Sequence, residues 1–79
     1  MRENKSKVFD TIFRRTYSKL YFYALSLLGD DNDADDVVEE VFVELWKRRD
    51  EIDLGDKIDS FLYRAVYTRS LNTLKRRNV

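Results

Sequence analysis

The sequence predicts an all-α fold, a compact bundle of three or four helices in a single domain spanning residues 1–79. Apolar residues recur at spacings of three and four along most of the chain, which is the period of an amphipathic helix. No segment alternates apolar and polar residues in the way that a half-buried strand does. The chain has only two glycines, Gly29 and Gly55, and they divide it into three parts.

The first part, before Gly29, is predicted to be helical. Gly29 itself follows the last apolar residues, where a C-capping glycine is expected. Ser18 could cap a new helix, so one long helix and two helices broken near Ser18 both fit the pattern. The periodic positions are Phe9, Ile12, Phe13, Thr16, Tyr17, Leu20, Tyr21, Ala24, Leu27 and Leu28.

The second part predicts the clearest helix in the chain. It begins within residues 30–33, a run of residues that favour the N-cap. Acidic residues in its first turn and basic residues 47–49 at its end complement the helix dipole. Its apolar positions are Ala34, Val37, Val38, Val41, Phe42 and Leu45.

A polar connection around Gly55, residues 50–58, leads to the last predicted helix. Asp59 or Ser60 is the expected N-cap, and the helix runs toward Arg77. Its apolar positions include Phe61, Leu62, Ala65, Val66, Leu71 and Leu74.

Composition excludes several classes of function. The absence of Cys excludes a disulfide framework, a thiolate zinc site and a cysteine nucleophile. The absence of His removes the commonest general base. No apolar run approaches the roughly 20 residues of a membrane span. We therefore expect a soluble, cytoplasmic domain with no membrane insertion, no cofactor and no small-molecule substrate.

The net charge of zero conceals a strong pattern. Residues 1–29 carry a net charge of +4, with six basic and two acidic side chains, and residues 30–46 carry −8, with eight acidic ones. Residues 47–59 carry −1, and residues 60–79 carry +5 with no acidic side chain. This asymmetry indicates two surfaces with different partners; the alternative is that opposite segments simply attract one another within the fold.

A helical wheel of the second helix predicts a docking surface for a basic partner. The core-facing residues lie on one side, and Asp36, Glu39, Glu40 and Glu44 lie on the other. Val43 falls among these acids and Trp46 at their edge, so the carboxylates would orient a partner that these two side chains contact. A solvated face with scattered apolar residues is the alternative.

The same wheel for the last helix predicts a nucleic-acid surface. Thr68 and Asn72 could bond phosphates or base edges, and Phe61 could stack on a base. Cations that merely complement the helix dipole would explain Lys75 and Arg76 but not Arg64. The outward half, which has no carboxylate, holds Phe61, Arg64, Ala65, Thr68, Arg69, Asn72, Lys75 and Arg76. The inward half holds Leu62, Tyr63, Val66, Tyr67, Ser70, Leu71 and Leu74.

Two chemical readings of the acidic residues fail. Residues 31–35 begin like a calcium-binding EF-hand loop, but Asp36 stands where that loop needs Gly and Phe42 where it needs Glu. The carboxylates lie along an exposed helix face rather than in a cleft, and the chain has no glycine-rich phosphate loop. We expect no metal site and no enzymatic activity.

Three segments, in order, resemble region 2 of the extracytoplasmic-function (ECF) sigma factors of bacteria. Residues 33–42, D-A-D-D-V-V-E-E-V-F, are similar to the region 2.2 core, which typically reads D-A-E-D-L-V-Q-E-V-F. Residues 8–28 resemble region 2.1, and residues 32–49 as a whole resemble region 2.2. Residues 50–58 correspond to a recognition loop and residues 59–77 to region 2.4. The resemblance therefore covers nearly the whole chain.

The resemblance implies a binding function in transcription initiation. Region 2.2 would dock on the clamp helices of the RNA polymerase β′ subunit through Asp36, Glu39, Glu40, Val43 and Trp46. The loop and the region 2.4 helix would capture a flipped base of the non-template strand and help to melt the promoter −10 element. The implied DNA-contacting residues are Asp53, Leu54, Gly55, Asp56, Lys57, Ile58, Phe61, Arg64, Thr68, Asn72, Lys75 and Arg76.

The sequence departs from the family pattern in three places. Glu39 replaces a Gln of the docking motif, and Thr68 replaces an Asn common early in region 2.4, so these two roles do not transfer in detail. The sequence ends at Val79, before the region 4 helix-turn-helix domain, so we expect an excised domain or a truncated protein.

An anti-sigma factor is a candidate partner. The alternative function is a small helical protein-interaction module, either monomeric or homodimeric, without a DNA role.

Overall fold

The computed structural model describes residues 5–77, which form three α-helices and no strand. Helix α1 is Lys5–Leu28, α2 is Asp31–Lys47 and α3 is Ile58–Arg77. The predicted all-α bundle is confirmed. None of these helices is long and apolar enough to cross a membrane. Residues 1–4 and 78–79 of the predicted domain, including Val79, lie outside the described part.

Helix α1 continues unbroken through Ser18, so the four-helix alternative is wrong for the described residues. A buried stripe with a spacing of four runs along the helix on both sides of Ser18, which itself is exposed. A break at Ser18 would take the second half of this stripe out of register with the core. The stripe consists of Ile12, Thr16, Leu20, Ala24 and Leu28.

The connection between α1 and α2 is only two residues long, and both act as caps. Gly29 has a φ of +70°, in the left-handed region that suits a C-capping glycine, and its N–H donates to the Leu25 carbonyl at 2.8 Å. The Asp30 carboxylate accepts a hydrogen bond from the Asp33 N–H at 2.9 Å. The predicted cap at Gly29 is therefore confirmed, and the N-cap of α2 is the first residue of the predicted run 30–33.

The connection between α2 and α3 is longer, and α3 begins earlier than predicted. Helix α2 ends at Lys47, and α3 starts at the buried Ile58. Neither Asp59 nor Ser60 is the N-cap, so that prediction is wrong: both lie inside the first turn, which the Phe61 N–H closes on the Lys57 carbonyl at 3.3 Å.

The core lies where the three helices meet, and each helix contributes a face to it. Leu20 of α1, Leu45 of α2 and Leu62 of α3 are fully buried, and truncating such a residue to Ala costs roughly 2–5 kcal/mol. An aromatic cluster extends the core between α1 and α2. Its rings, with centroid distances of 4.9 to 6.4 Å, belong to Phe9, Phe13, Tyr17, Phe42 and Trp46.

The face that α3 turns inward differs in part from the wheel. The buried positions are Ile58, Leu62, Val66 and Ser70. Three residues assigned to the inward half are exposed instead: Tyr63, Tyr67 and Leu71. Two residues assigned to the outward half, Phe61 and Ala65, are half-buried against the core. The inward face is therefore turned toward α2 relative to the prediction.

Candidate protein-docking and nucleic-acid interfaces

The exposed side of α2 forms an acidic surface, defined by Asp36, Glu39, Glu40, Val43 and Glu44. These side chains, with Lys47 and Arg69, line a shallow groove of about 420 Å³. Asp36 and Glu39 form no ion pair with any residue from 5 to 77. Val43 is 53% exposed between them. The structure thus brings together four of the five predicted polymerase-binding residues.

Trp46, the fifth, lies beside the acidic surface and not in its groove. The residue is 37% exposed, and its ring packs edge-on against Phe9, with 5.1 Å between the ring centroids. The guanidinium of Arg49 lies 3.9 Å from the centroid of the same ring. Trp46 is therefore held in a fixed orientation while part of its ring stays open to a partner.

A second groove, the α2–α3 groove, contains four of the predicted DNA-contacting residues. It has a volume of about 430 Å³. Phe61, Arg64, Thr68 and Asn72 all line it, as the wheel placed them on one face. Its full lining consists of Val41, Glu44, Arg48, Phe61, Arg64, Ala65, Thr68, Arg69 and Asn72.

The α2 wall of this groove was missed by the sequence analysis. It adds a third cation to Arg64 and Arg69, namely Arg48, whose Nη1 lies 3.7 Å from Glu44 Oε1. Arg48 is the C-cap residue of α2. The sequence predicts only that Arg48 complements the dipole of α2. Its place in the groove depends on the proximity of α2 to α3, which the pattern of a single helix does not contain.

The cations of α3 divide into two groups. Arg64 and Lys75 have no carboxylate partner within residues 5–77, and Arg76 donates only to the Thr73 hydroxyl, at 3.4 Å. Arg69 and Arg77 are instead used within the fold. Arg77 donates to the Leu28 carbonyl at 2.8 Å, at the end of α1, and also pairs with Asp33 in α2. Lys75 and Arg76 lie outside the lining of the α2–α3 groove.

The predicted recognition loop lies beside α1 rather than in the α2–α3 groove. Leu54 and Gly55 line cavities with Val8 of α1, and Leu54 is half-buried against the core. Asp53 accepts a hydrogen bond from the Gly55 N–H at 2.9 Å. Asp56 and Lys57 are exposed, whereas Ile58 is buried as the first residue of α3.

Ile58 is therefore corrected from a loop residue to a core residue. Its side chain is buried in the core and is not available to DNA.

Ion pairs and hydrogen bonds fix these surfaces relative to α1. Arg15 donates two hydrogen bonds of 2.8 Å to Asp59, which lower the pKa of that carboxyl. A hydrogen bond from Lys5 lowers the pKa of Asp50. Burial and the hydrogen bond to Asp35 raise the pKa of the Tyr17 hydroxyl.

No group of three or more carboxylates among residues 5–77 is arranged to hold a metal ion. The acidic surface of α2 is spread along one helix face, which suits contact with a basic protein segment.

The family model described as "Sigma-70 region 2" matches residues 12–79, which include all of α2 and α3. Comparisons with curated proteins and with solved structures gave no match. The family match agrees with the two surfaces, because a sigma factor meets both RNA polymerase core and promoter DNA. The chain belongs to the sigma-70 region 2 family, and it is a non-enzymatic domain of transcription initiation.

Proposed function

We propose that the chain is region 2 of an ECF sigma factor, which acts in the cytoplasm by docking on the β′ clamp helices and by recognising and melting the promoter −10 element. In this proposal α1 corresponds to region 2.1, α2 to region 2.2 and α3 to region 2.4. The observation that supports this proposal is that one small bundle has both an acidic face, on α2, and a basic face without carboxylates, on α3.

The docking role is assigned to Asp36, Glu39, Glu40, Val43 and Trp46. The carboxylates of Asp36 and Glu39 have no partner among the described residues, so no internal ion pair must break when a basic segment approaches. Val43 would then be buried between them, and the fixed ring of Trp46 adds apolar area at little cost in conformational entropy.

The DNA role is assigned to the loop, residues 53–57, and to the outer face of α3. Arg64, Lys75 and Arg76 would contact phosphates, and Thr68 and Asn72 would bond phosphates or base edges. Phe61 lies half-buried in the α2–α3 groove, where it could stack on an extruded base. Such stacking would offset part of the few kcal/mol that unstacking a base costs.

The docking role predicts the effect of reversing two free carboxylates. In the double variant Asp36→Lys/Glu39→Lys, binding to a fragment containing the β′ clamp helices should weaken about tenfold or more, because like charges then face each other. The measurement is titration calorimetry with the 79-residue chain. The control is Asp10→Lys, a single charge reversal on α1, whose exposed pair with Arg14 contributes only about 0.3–0.5 kcal/mol.

The DNA role is tested by measuring the affinity of the wild type and of the double variant Arg64→Glu/Lys75→Glu for a labelled single-stranded oligonucleotide carrying a −10 sequence. The wild-type affinity should fall with salt, and the reversal should reduce the slope of log affinity against log salt by about 1.4. Arg14→Glu is the control on α1. Unchanged polymerase binding in the carboxylate variant contradicts the docking role, and unchanged DNA binding in the arginine variant favours the interaction module without a DNA role.

A further inference from the structure

Arg69 belongs to both surfaces at once, although it was counted only among the outward cations of α3. Its guanidinium lines the groove of the acidic surface and also the α2–α3 groove. Nη1 lies 3.3 Å from Glu40 Oε2, and Nη2 lies 3.9 Å from Glu44 Oε2. Of the cations on α3, Arg69 alone lines both grooves.

The contacts that hold Arg69 are weak ones. Charge-assisted hydrogen bonds between guanidinium and carboxylate typically measure about 2.7–2.9 Å, and both distances here are longer. The carboxylates are also well exposed, at 57% for Glu40 and 42% for Glu44, so water and ions screen the attraction. A basic group that binds the acidic surface can therefore displace Arg69 from Glu40.

We propose that Arg69 is an additional phosphate contact of the α2–α3 groove, and that its availability is set by the occupancy of the acidic surface. This inference rests on the proposed function. While the acidic surface is free, Glu40 and Glu44 neutralise Arg69, and the groove presents one cation fewer to DNA. When a basic protein segment pairs with Glu40, the guanidinium turns to the phosphates beside Arg64, Thr68 and Asn72.

The two binding events are then coupled through one side chain. Because linkage is reciprocal, a basic segment on the acidic surface raises the affinity for single-stranded DNA by the same factor by which DNA raises the affinity for that segment. We expect a factor of about five, at the lower end of measured couplings.

The test needs no polymerase. Glu40→Gln/Glu44→Gln in the 79-residue chain removes the hold on Arg69, and the affinity for a labelled single-stranded oligonucleotide should rise about fivefold. This variant also removes the 3.7 Å pair of Glu44 with Arg48, so the Arg69→Gln background is needed to assign the gain to Arg69. Its salt slope should steepen by about 0.7, the value for one added phosphate contact. The matched control, Asp36→Asn/Glu39→Gln, makes the same change in net charge on the same helix face without touching Arg69.

The decisive comparison adds Arg69→Gln to each background. Arg69→Gln alone should change DNA affinity by less than about twofold, because the wild-type side chain is already engaged, and it should abolish the gain of the Glu40/Glu44 variant. Arg69→Met, which keeps the aliphatic stem, repeats the comparison, and circular dichroism verifies that every variant stays helical.

A gain that persists without Arg69, or that the Asp36/Glu39 control matches, overturns the inference and leaves the proposed function intact. If neither the wild type nor any variant binds single-stranded DNA, the proposed DNA role fails and the inference fails with it.

Discussion

Two buried hydroxyl groups in the bundle, those of Thr16 and Ser70, differ in their hydrogen bonding. The Thr16 hydroxyl donates to the Ile12 carbonyl at 2.7 Å within α1. Ser70, fully buried on the inward face of α3, has no hydrogen-bond partner for its hydroxyl among residues 5–77. A buried polar group without a partner costs about 1–3 kcal/mol, so Ser70 lowers the stability of the domain.

Ser70→Ala should therefore raise the free energy of unfolding by about 1–2 kcal/mol, measured by urea denaturation followed by circular dichroism. Ser18→Ala, also in the middle of a helix but exposed, is the control, since it gains only the helix propensity of Ala, about 0.5 kcal/mol. Equal stabilisation by the two substitutions would mean that the Ser70 hydroxyl is satisfied in solution.

Among the helices, α2 was predictable almost to the residue, because its signals are local. Its N-cap, its first-turn acids and a single narrow apolar face all agree. The continuity of α1 was not predictable, because the capping potential of Ser18 is local whereas the stripe that keeps the helix intact is set by packing against α2 and α3.

The buried face of α3 was not predictable from a helical wheel, for a related reason. Its apolar residues cover more than half of its circumference, so several inward faces fit the sequence equally well. The position of α2 selects the face with Phe61 and Ala65 and leaves Tyr63, Tyr67 and Leu71 at the surface.

The same limit applies to the candidate sites. The co-location of Phe61, Arg64, Thr68 and Asn72 followed from helical spacing alone. The contribution of Arg48 to the groove and the pairing of Arg69 with Glu40 depend on how α2 lies against α3, and no pattern within one helix contains that information.

The connection between α1 and α2 should be sensitive to the conformation of Gly29 and not to its size. No atom beyond the two adjacent residues lies within 4 Å of a Cβ built at this position, but its φ of +70° is unfavourable for other residues. Gly29→Ala should lower the free energy of unfolding by about 1–2 kcal/mol, and Gly29→Asn by less, because Asn tolerates this region better. Urea denaturation of both variants measures the difference, and equal stability of wild type and Gly29→Ala would contradict the expectation.

Across the bundle, the opposite charges of the sequence segments are partly neutralised inside the fold. Among residues 5–77, six ion pairs join different segments: Lys5–Asp50, Arg15–Asp59, Arg48–Glu44, Arg69–Glu40, Arg69–Glu44 and Arg77–Asp33. Intramolecular attraction therefore explains part of the charge pattern. It does not account for Asp36 and Glu39 on α2 or for Arg64 and Lys75 on α3, which have no ion-pair partner among residues 5–77.

These interactions predict how stability depends on pH. The lowered pKa values of Asp50 and Asp59 stabilise the fold above about pH 4, and this contribution is lost as pH falls through the folded-state values. The raised pKa values of Tyr17 and Tyr21 stabilise it below about pH 10, and this contribution is lost as pH rises through the folded-state values.

The melting temperature should accordingly be nearly constant between about pH 5 and 9 and fall on both sides. In Tyr17→Phe the alkaline decline should become shallower, while stability at neutral pH drops by about 1 kcal/mol with the loss of the hydrogen bond to Asp35. Thermal unfolding across the pH range measures both effects. An alkaline decline identical to that of the wild type would exclude Tyr17 as a contributor.

The two-residue connection at Gly29 and Asp30 also limits how this chain can diverge in evolution. If a residue inserted there extended α1, the chain would leave α1 about 100° further round its axis, which would turn Asp36 and Glu39 away from their present direction and expose part of the buried face. The connection from residue 48 to residue 57 does not constrain the rotation of α3 in this way, since lengthening a flexible loop costs little free energy. Insertions and deletions are therefore confined to the connection between α2 and α3, at one end of the bundle. The orientation of the acidic surface depends on the length of the connection between α1 and α2, at the other end.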